Sequence, residues 1–388
     1  MYKIISVALL SGLIMPNVHA AEWSLSGSIN PSLKYDDNIF MRDENKLADY
    51  QSSMSPTLIG AYKLENTQTS VSAGYVIDRY ETSRQLDQEN PFVRLNTQYQ
   101  TERSNWGLGL DYTENSSRSE AEADTGTGNF ETNSTATTKS ISPNFSFNVT
   151  ELDSLSINAN YTDRAYSTTD FSNSKSRSLS TSWQHQFTER LNGGLSLSAS
   201  NNKSDGVALQ TDDDIYSLSL TSKYDLSEVW AINGSVGVRR LNSTQTDAFG
   251  FVDKNTSSGA TLSFNVSYKH EVDTASLGLS RSVSPSSTGD VNEQDKLSLG
   301  WSRQLSERFS TSINGSIQST RSASDNGSDK RDYINLSPAV NWIMSPDATI
   351  SLSYNYRQQK ESEANTNASS NSVMLTLNYN WDGFTASR

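Results

Sequence analysis

Few residues in this chain could carry out chemistry. None of its 388 residues is Cys, which excludes thiolate nucleophiles, thiolate metal sites, disulfides and a cysteine-borne lipid anchor. Of its 3 His, His19 falls in the N-terminal segment, leaving His185 and His270. His185 alternates with Trp183 and Phe187, and His270 with Tyr268. A general base has to reach a hydroxyl nucleophile to activate it. This alternation instead puts both imidazoles on an apolar face, away from the Ser-rich segments. A hydrolase is therefore not expected, and the chain reads as a non-enzyme.

Carboxylates are the other chemical resource. They cluster at Asp36-Asp37, Asp43-Glu44, Asp212-Asp213-Asp214 and across Glu120, Glu122 and Asp124. Loop carboxylates can recruit Ca²⁺ or Mg²⁺, including ions that bridge lipopolysaccharide phosphates, but none of these clusters has the spacing of a Ca²⁺ loop. Solvated acids are the simpler reading, and no metal or cofactor is expected. Gly-x-Gly at 107–109 and 126–128 reads as strand or turn, not as a dinucleotide fingerprint. A net charge of −13 excludes nucleic acid as a partner.

The elements that would position any of these groups repeat one pattern. In WSLSGSINPSLKY (23–35), Trp23, Leu25, Ile29, Leu33 and Tyr35 alternate with Ser, Asn and Lys. A period of two gives a strand one apolar and one polar face. The same alternation returns from Met54, Val71, Val93, Trp106, Ile141, Leu155, Leu179, Leu195, Tyr216, Trp230, Ala260, Leu277, Leu297, Phe309, Ile334, Ile350 and Val373 onward. That makes about eighteen strands, with sixteen the alternative count. The connections alternate too. Short ones near 65–69, 101–105, 150–154, 188–192, 226–229, 271–274, 305–308 and 345–347 share phrases such as Thr-Glu-Arg and Ser-Glu-Arg. Long polar ones fall at about 36–49, 80–90, 113–135, 162–176, 202–213, 240–256, 284–295, 321–332 and 358–371.

A chain that is 34% hydrophobic fills a conventional core poorly, yet a barrel needs apolar residues only at alternate positions. The expected fold is all-β: an antiparallel up-and-down transmembrane β-barrel with short periplasmic turns and long extracellular loops. Aromatic residues agree. Tyr62, Trp106, Trp230, Tyr268 and Trp342 stand near short turns, and Tyr35, Tyr112, Tyr161, Tyr216 and Tyr356 near long ones, as two interfacial girdles would. Pro31, Pro56, Pro143 and Pro338 are expected at bulges or strand ends. Residues 1–20 carry Lys3, a short apolar run and Val18-His19-Ala20, the pattern of a secretory signal peptide, and 21–388 then form a single barrel domain. The location implied is the cell outer membrane of a Gram-negative envelope, with outer-membrane lipid and lipopolysaccharide as surroundings.

If the apolar face meets lipid, the intervening residues line a lumen. Most are Ser, Thr, Asn and Gln. The inward charges are biased, with Lys34, Lys63, Arg94, Lys223, Arg239, Lys269, Lys296 and Arg357 set against Asp78, Asp111 and Asp225. Basic rings favour anions, so an anion-preferring channel is expected unless carboxylates fold in to pair these cations.

The end of the first strand carries a resemblance. Pro31, Leu33, Tyr35, Asp36, Asp37, Asn38, Ile39 and Phe40 match the N-terminal signature x-Pro-x-Leu-x-Tyr-Asp-Asp-Asn-Ile/Leu-Phe, so the chain resembles the beta-barrel porin 2 family. The resemblance implies an outer-membrane barrel associated with exopolysaccharide production, with a polysaccharide substrate and a periplasmic polysaccharide-export protein as partners. From the residues alone, Tyr35 anchors at the interface and Asp-Asp-Asn opens a loop by its own turn chemistry. The alternative function is a non-transport scaffold or adhesion barrel whose extracellular loops act in biofilm formation.

Overall fold

A strand with one apolar and one polar face is stable only between two different surroundings, and closing the sheet on itself supplies them without leaving an edge. The computed structural model describes residues 21–118, 133–206, 209–285, 291–323, 330–362 and 365–387; the segment 1–20 and the Glu120, Glu122 and Asp124 cluster lie outside them. In chain order the strands begin β1 (Glu22–Ile29), β2 (Ser32–Asp36), β3 (Asp49–Met54), β4 (Thr57–Lys63), β5 (Thr67–Tyr80), β6 (Gln88–Gln100), β7 (Ser104–Ser116), β8 (Thr135–Asn148), β9 (Asp153–Tyr166) and β10 (Asn173–Thr188). They continue as β11 (Leu191–Asp205), β12 (Leu209–Asp225), β13 (Trp230–Asp247), β14 (Val252–Lys269), β15 (Asp273–Pro285), β16 (Val291–Gln304), β17 (Phe309–Ser322), β18 (Lys330–Ser345), β19 (Ala348–Glu361) and β20 (Thr366–Ser387).

β1 with β2, and β3 with β4, are halves of two single staves, so the closed antiparallel barrel has 18. Both breaks follow from proline, which has no N–H to give a neighbour. Pro31 separates β1 from β2, and Pro56 separates β3 from β4. Pro143 and Pro338 instead lie inside continuous strands, at gaps in the pairing of β8 with β9 and of β18 with β19. β20 closes the ring against both β1 and β2.

The alternation decides which face meets what. Leu220, Val236, Val238 and Leu299 are exposed on the outside, as are Trp23, Trp106, Trp230 and Trp342 near the short turns. From Trp230 to Val238 the outward positions of β13 are apolar or glycine. That run is roughly 27 Å along the strand and a little over 20 Å at a tilt of about 40°, close to an apolar band about 25 Å tall. β13 itself has 18 residues, so it reaches roughly 60 Å and stands well clear of the band. Several presumed long loops are therefore mostly strand. Residues 240–256 shrink to the connection between Asp247 and Val252, and 202–213 to that between Asp205 and Leu209. Above the band water wets the outer face, so the outward positions of β13 become Arg240, Asn242, Thr244 and Thr246. The apolar period vanishes there while the backbone pairing continues.

The shared turn phrase has a physical basis. Thr101 Oγ1 accepts the N–H of Ser104 (2.9 Å), Thr150 Oγ1 that of Asp153 (2.9 Å) and Thr188 Oγ1 that of Leu191 (3.0 Å). Ser227 and Ser306 do the same for Trp230 and Phe309 (3.2 Å each). Each hydroxyl satisfies an N–H that a tight turn would otherwise leave unpaired. Thr188→Ala should destabilise the barrel by about 0.5–1.5 kcal/mol. Thr188→Ser should restore it, as read from heat-induced unfolding in detergent.

Candidate functional site

The lumen is not uniform along its length. Near the short turns its side chains are open to water: Lys63, Lys223 and Lys269 are all exposed, as is Arg94 at the middle of β6. Toward the long-loop end the inward positions close up. On β13 they run from Asn233 and Ser235, both partly exposed, to Arg239, Leu241 and Ser243, all buried. Arg357 and Gln359 on β19, and Ser370 and Ser372 on β20, are buried at the same end. The candidate site is this packed mouth, and the segment 37–48 between β2 and β3 forms its centre.

Asp36, the last residue of β2, anchors it. Arg357 Nη2 donates to Asp36 Oδ2 at 2.8 Å, and the two side chains are only 6% and 5% exposed. Lys34 Nζ lies 3.0 Å from the same oxygen. Ser370 Oγ donates to Oδ1 at 2.6 Å, and the Asn38 N–H adds a bond of 3.1 Å. Asp37 then clamps β20, accepting the backbone N–H and the side-chain amide of Asn371, both at 2.7 Å. Asn38 is fully buried. Its amide donates to the carbonyls of Arg42 (2.7 Å) and Ser369 (2.9 Å), and its Oδ1 accepts the Arg42 N–H (3.0 Å). Ile39 and Phe40 pack into the mouth with Leu86, Leu47 and Tyr80. Arg42 and Arg118 stand over the Phe40 ring at 5.0 and 5.4 Å, and Arg118 also donates to the Ile39 carbonyl at 2.6 Å.

The Asp-Asp-Asn-Ile-Phe stretch thus does more than start a turn. Two acids and an amide tie the chain across the first stave to β20, and the two apolar residues that follow turn inward to form the largest buried apolar cluster among the described residues. Pro31 ends β1, while Leu33 and Tyr35 face outward, Tyr35 against Tyr50 at a ring separation of 5.0 Å. Beneath the segment, Lys34, Asp36, Asp49, Asp78, Gln88 and Arg357 surround a polar cavity of about 120 Å³. Asp49 is pinned there by the N–H groups of Thr82 (3.0 Å) and Ser83 (2.7 Å).

The eight cations expected in the lumen separate into two groups. Five meet carboxylates: Lys34 and Arg357 at Asp36, Arg94 at Asp111 (3.7 Å), Lys223 at Asp225 (3.9 Å) and Arg239 at Glu293 (2.7 Å). Lys63, Lys269 and Lys296 have no ion pair among the described residues. Charge bias in the lumen therefore rests mainly on these three. Changing all three to Glu should move the zero-current potential in a KCl gradient toward cation selectivity, whereas Arg239→Gln should barely move it.

Glu293 was not legible as a lumen group, because it shares the alternation of Leu297 and Leu299, which face outward. It reaches Arg239 through a change in the wall. β14 pairs with β15 only from Lys269 up to Leu262, opposite Arg281, although β14 stays paired with β13 as far as Val252. Above that point the tops of β15 to β17 lie against the inner face of β13 and β14. Glu293 is held there between Arg239 and Arg321, and Ser257 Oγ donates to the Ala323 carbonyl at 2.9 Å. The two histidines stay on the outer surface. His185 stacks on Trp183, meets Phe187 edge-on and bonds Asp153 at 2.8 Å, and His270 stacks on Tyr268.

No family model matches the chain, and no curated protein matches its sequence. Solved structures do match in fold. The unliganded ferric citrate transporter FecA superposes with a TM-score of 0.54 at 12% identity, over 86% of this chain and 60% of that one. This chain thus spans 60% of FecA, less than two thirds of its length. The siderophore receptor PiuA from Acinetobacter baumannii gives 0.51 at 8% identity over 94% and 82% of the two chains. OccAB4 from the same organism gives 0.52 at 11% identity over 94% and 98%. At such identities the likeness concerns the fold alone: this is the architecture of outer-membrane β-barrels.

Proposed function

We propose that the chain is an outer-membrane channel for polar, hydroxyl-rich solutes, closed at its long-loop mouth by segment 37–48. The carrying observation is the contrast along the lumen: water-accessible Ser, Thr, Asn and Gln at the short-turn end, and a buried, ion-paired closure at the other. Amides and hydroxyls can exchange hydrogen bonds with a sugar without the grip of an unpaired charge. Many lumen groups also bond one another, as Gln184 does to Thr221 (2.8 Å) and Ser337 to Asn355 (2.9 Å), which fixes the wall. The finer reading is that the solute is an exopolysaccharide strand handed over by a periplasmic export protein. It is supported by the opening motif at Pro31 to Phe40. On this reading residues 1–20 direct export and the barrel resides in the outer membrane.

Oligosaccharide block of single-channel currents tests the proposal. A neutral oligosaccharide added at the short-turn side should block a channel whose mouth has been released, and polyethylene glycol of equal size should block it less. Equal block by both would remove hydrogen-bond recognition from the account. The packed mouth also favours the second reading, a scaffold barrel, for which no current should appear even after release.

A further inference from the structure

The outer wall carries a feature that the channel does not use. Just below the height at which the apolar band ends, Leu179, Thr181, Leu197, Tyr216, Leu218 and Val238 line an apolar groove of about 840 Å³ on the outside of β10 to β13, which reaches Ser258 and Gly259 of β14. Its position in the lipid-facing band makes a lipid chain its natural occupant. Strand pairing fixes what stands above. Leu179 is opposite Ala199, and two residues higher Arg177 is opposite Asn201. Two residues higher again, Lys175 is directly opposite Lys203.

Like charges face to face across a strand pair are destabilising, and this pair is only half neutralised. Lys203 is taken by Asp212 at 2.8 Å. Lys175 is exposed and has no ion pair among the described residues, although Asp163 is its cross-strand neighbour on the other side. Arg177 lies over the Tyr161 ring at 5.7 Å with its side chain exposed, and Arg240 borders the groove from β13. Asp212 and Asp214 border the patch from β12, where both accept from the Asn201 amide (2.7 and 3.0 Å), so its uncompensated charge lies at Lys175 and Arg177. These cations at headgroup height directly above an acyl-sized groove match an amphiphile with a phosphate on an apolar body.

We infer that β10 to β13 form a seat for a phosphorylated lipid of the outer leaflet, its acyl chain in the groove and its phosphate against Lys175, Arg177 and Lys203. The site does not depend on what crosses the lumen. Lipid A added to the full-length protein in uncharged detergent, with bound lipid counted by native mass spectrometry, tests it. Wild type should hold one lipid A tightly, and Lys175→Ser with Arg177→Ser should bind roughly tenfold more weakly, about the loss of one charge-assisted contact. Lys203→Gln should give a smaller loss, and Arg103→Ser with Arg190→Ser, in the opposite turns, none. Leu197→Trp should weaken binding by filling the groove. Unchanged binding in the Lys175 and Arg177 variant, equal binding of dephosphorylated lipid A, or displacement by inorganic phosphate alone would overturn the seat. A heat-modifiable gel shift in every variant keeps misfolding from imitating the expected result.

Discussion

Asp36→Ala should destabilise the folded barrel by about 3–5 kcal/mol, the usual loss when one partner of a buried ion pair is removed. The carboxylate sits 2.8 Å from Arg357 and 3.0 Å from Lys34, so its removal leaves two cations facing each other, with the Arg357 side chain only 6% exposed. The Ser370 hydroxyl and the Asn38 N–H lose their acceptor as well. Arg357→Met added to Asp36→Ala should recover much of the loss, because the uncompensated charge goes with it. Unfolding midpoints of the two single variants and the double variant in one detergent check this. Simple additivity would mean that Asp36 and Arg357 do not act as a unit at the mouth.

Leu220→Arg and Leu262→Arg should each impair assembly by about 2–4 kcal/mol, the cost of a cation at the bilayer midplane on the lipid face of a barrel. Leu220 lies opposite Leu195 on one neighbour and Val236 on the other, and Leu262 opposite Val236. All are mid-band. Ser219→Arg, one residue away, points into the partly wetted lumen and should be tolerated far better. Folding yield into lipid vesicles, read from the heat-modifiable band, separates the two outcomes. Equal damage at 219 and 220 would put the faces the wrong way round.

These expectations show which features sequence reasoning could reach. The apolar alternation is a local signal, so it located all eighteen staves and their outward faces, and the repeated Thr-Glu-Arg phrase marked turns whose hydroxyls satisfy the backbone. Strand ends were not legible above the band. Residues such as Asn242 and Thr244 have water on one face and polar packing on the other, and no apolar period survives to mark them as strand. The mouth was half legible. Asp36, Asp37 and Asn38 stood out as a motif, but their partners Arg357, Ser370 and Asn371 lie more than 300 residues away and are ordinary in their own surroundings. Glu293 was hidden for a different reason. Its alternation assigned it to the outside, and only the parting of β14 from β15 brings it to Arg239.

Single-channel conductance of the wild type against a variant with Asp37→Ala and Asn38→Ala tests whether segment 37–48 closes the barrel. These substitutions remove the side-chain bonds of Asp37 to Asn371 and of Asn38 to Ser369, which help to hold segment 37–48 in the mouth, while leaving the Asp36 ion pair in place. The wild type should show small or rare openings in a planar bilayer, and the variant large, long-lived ones. Large steady openings in the wild type would contradict closure by this segment. Silence in both proteins would contradict the channel.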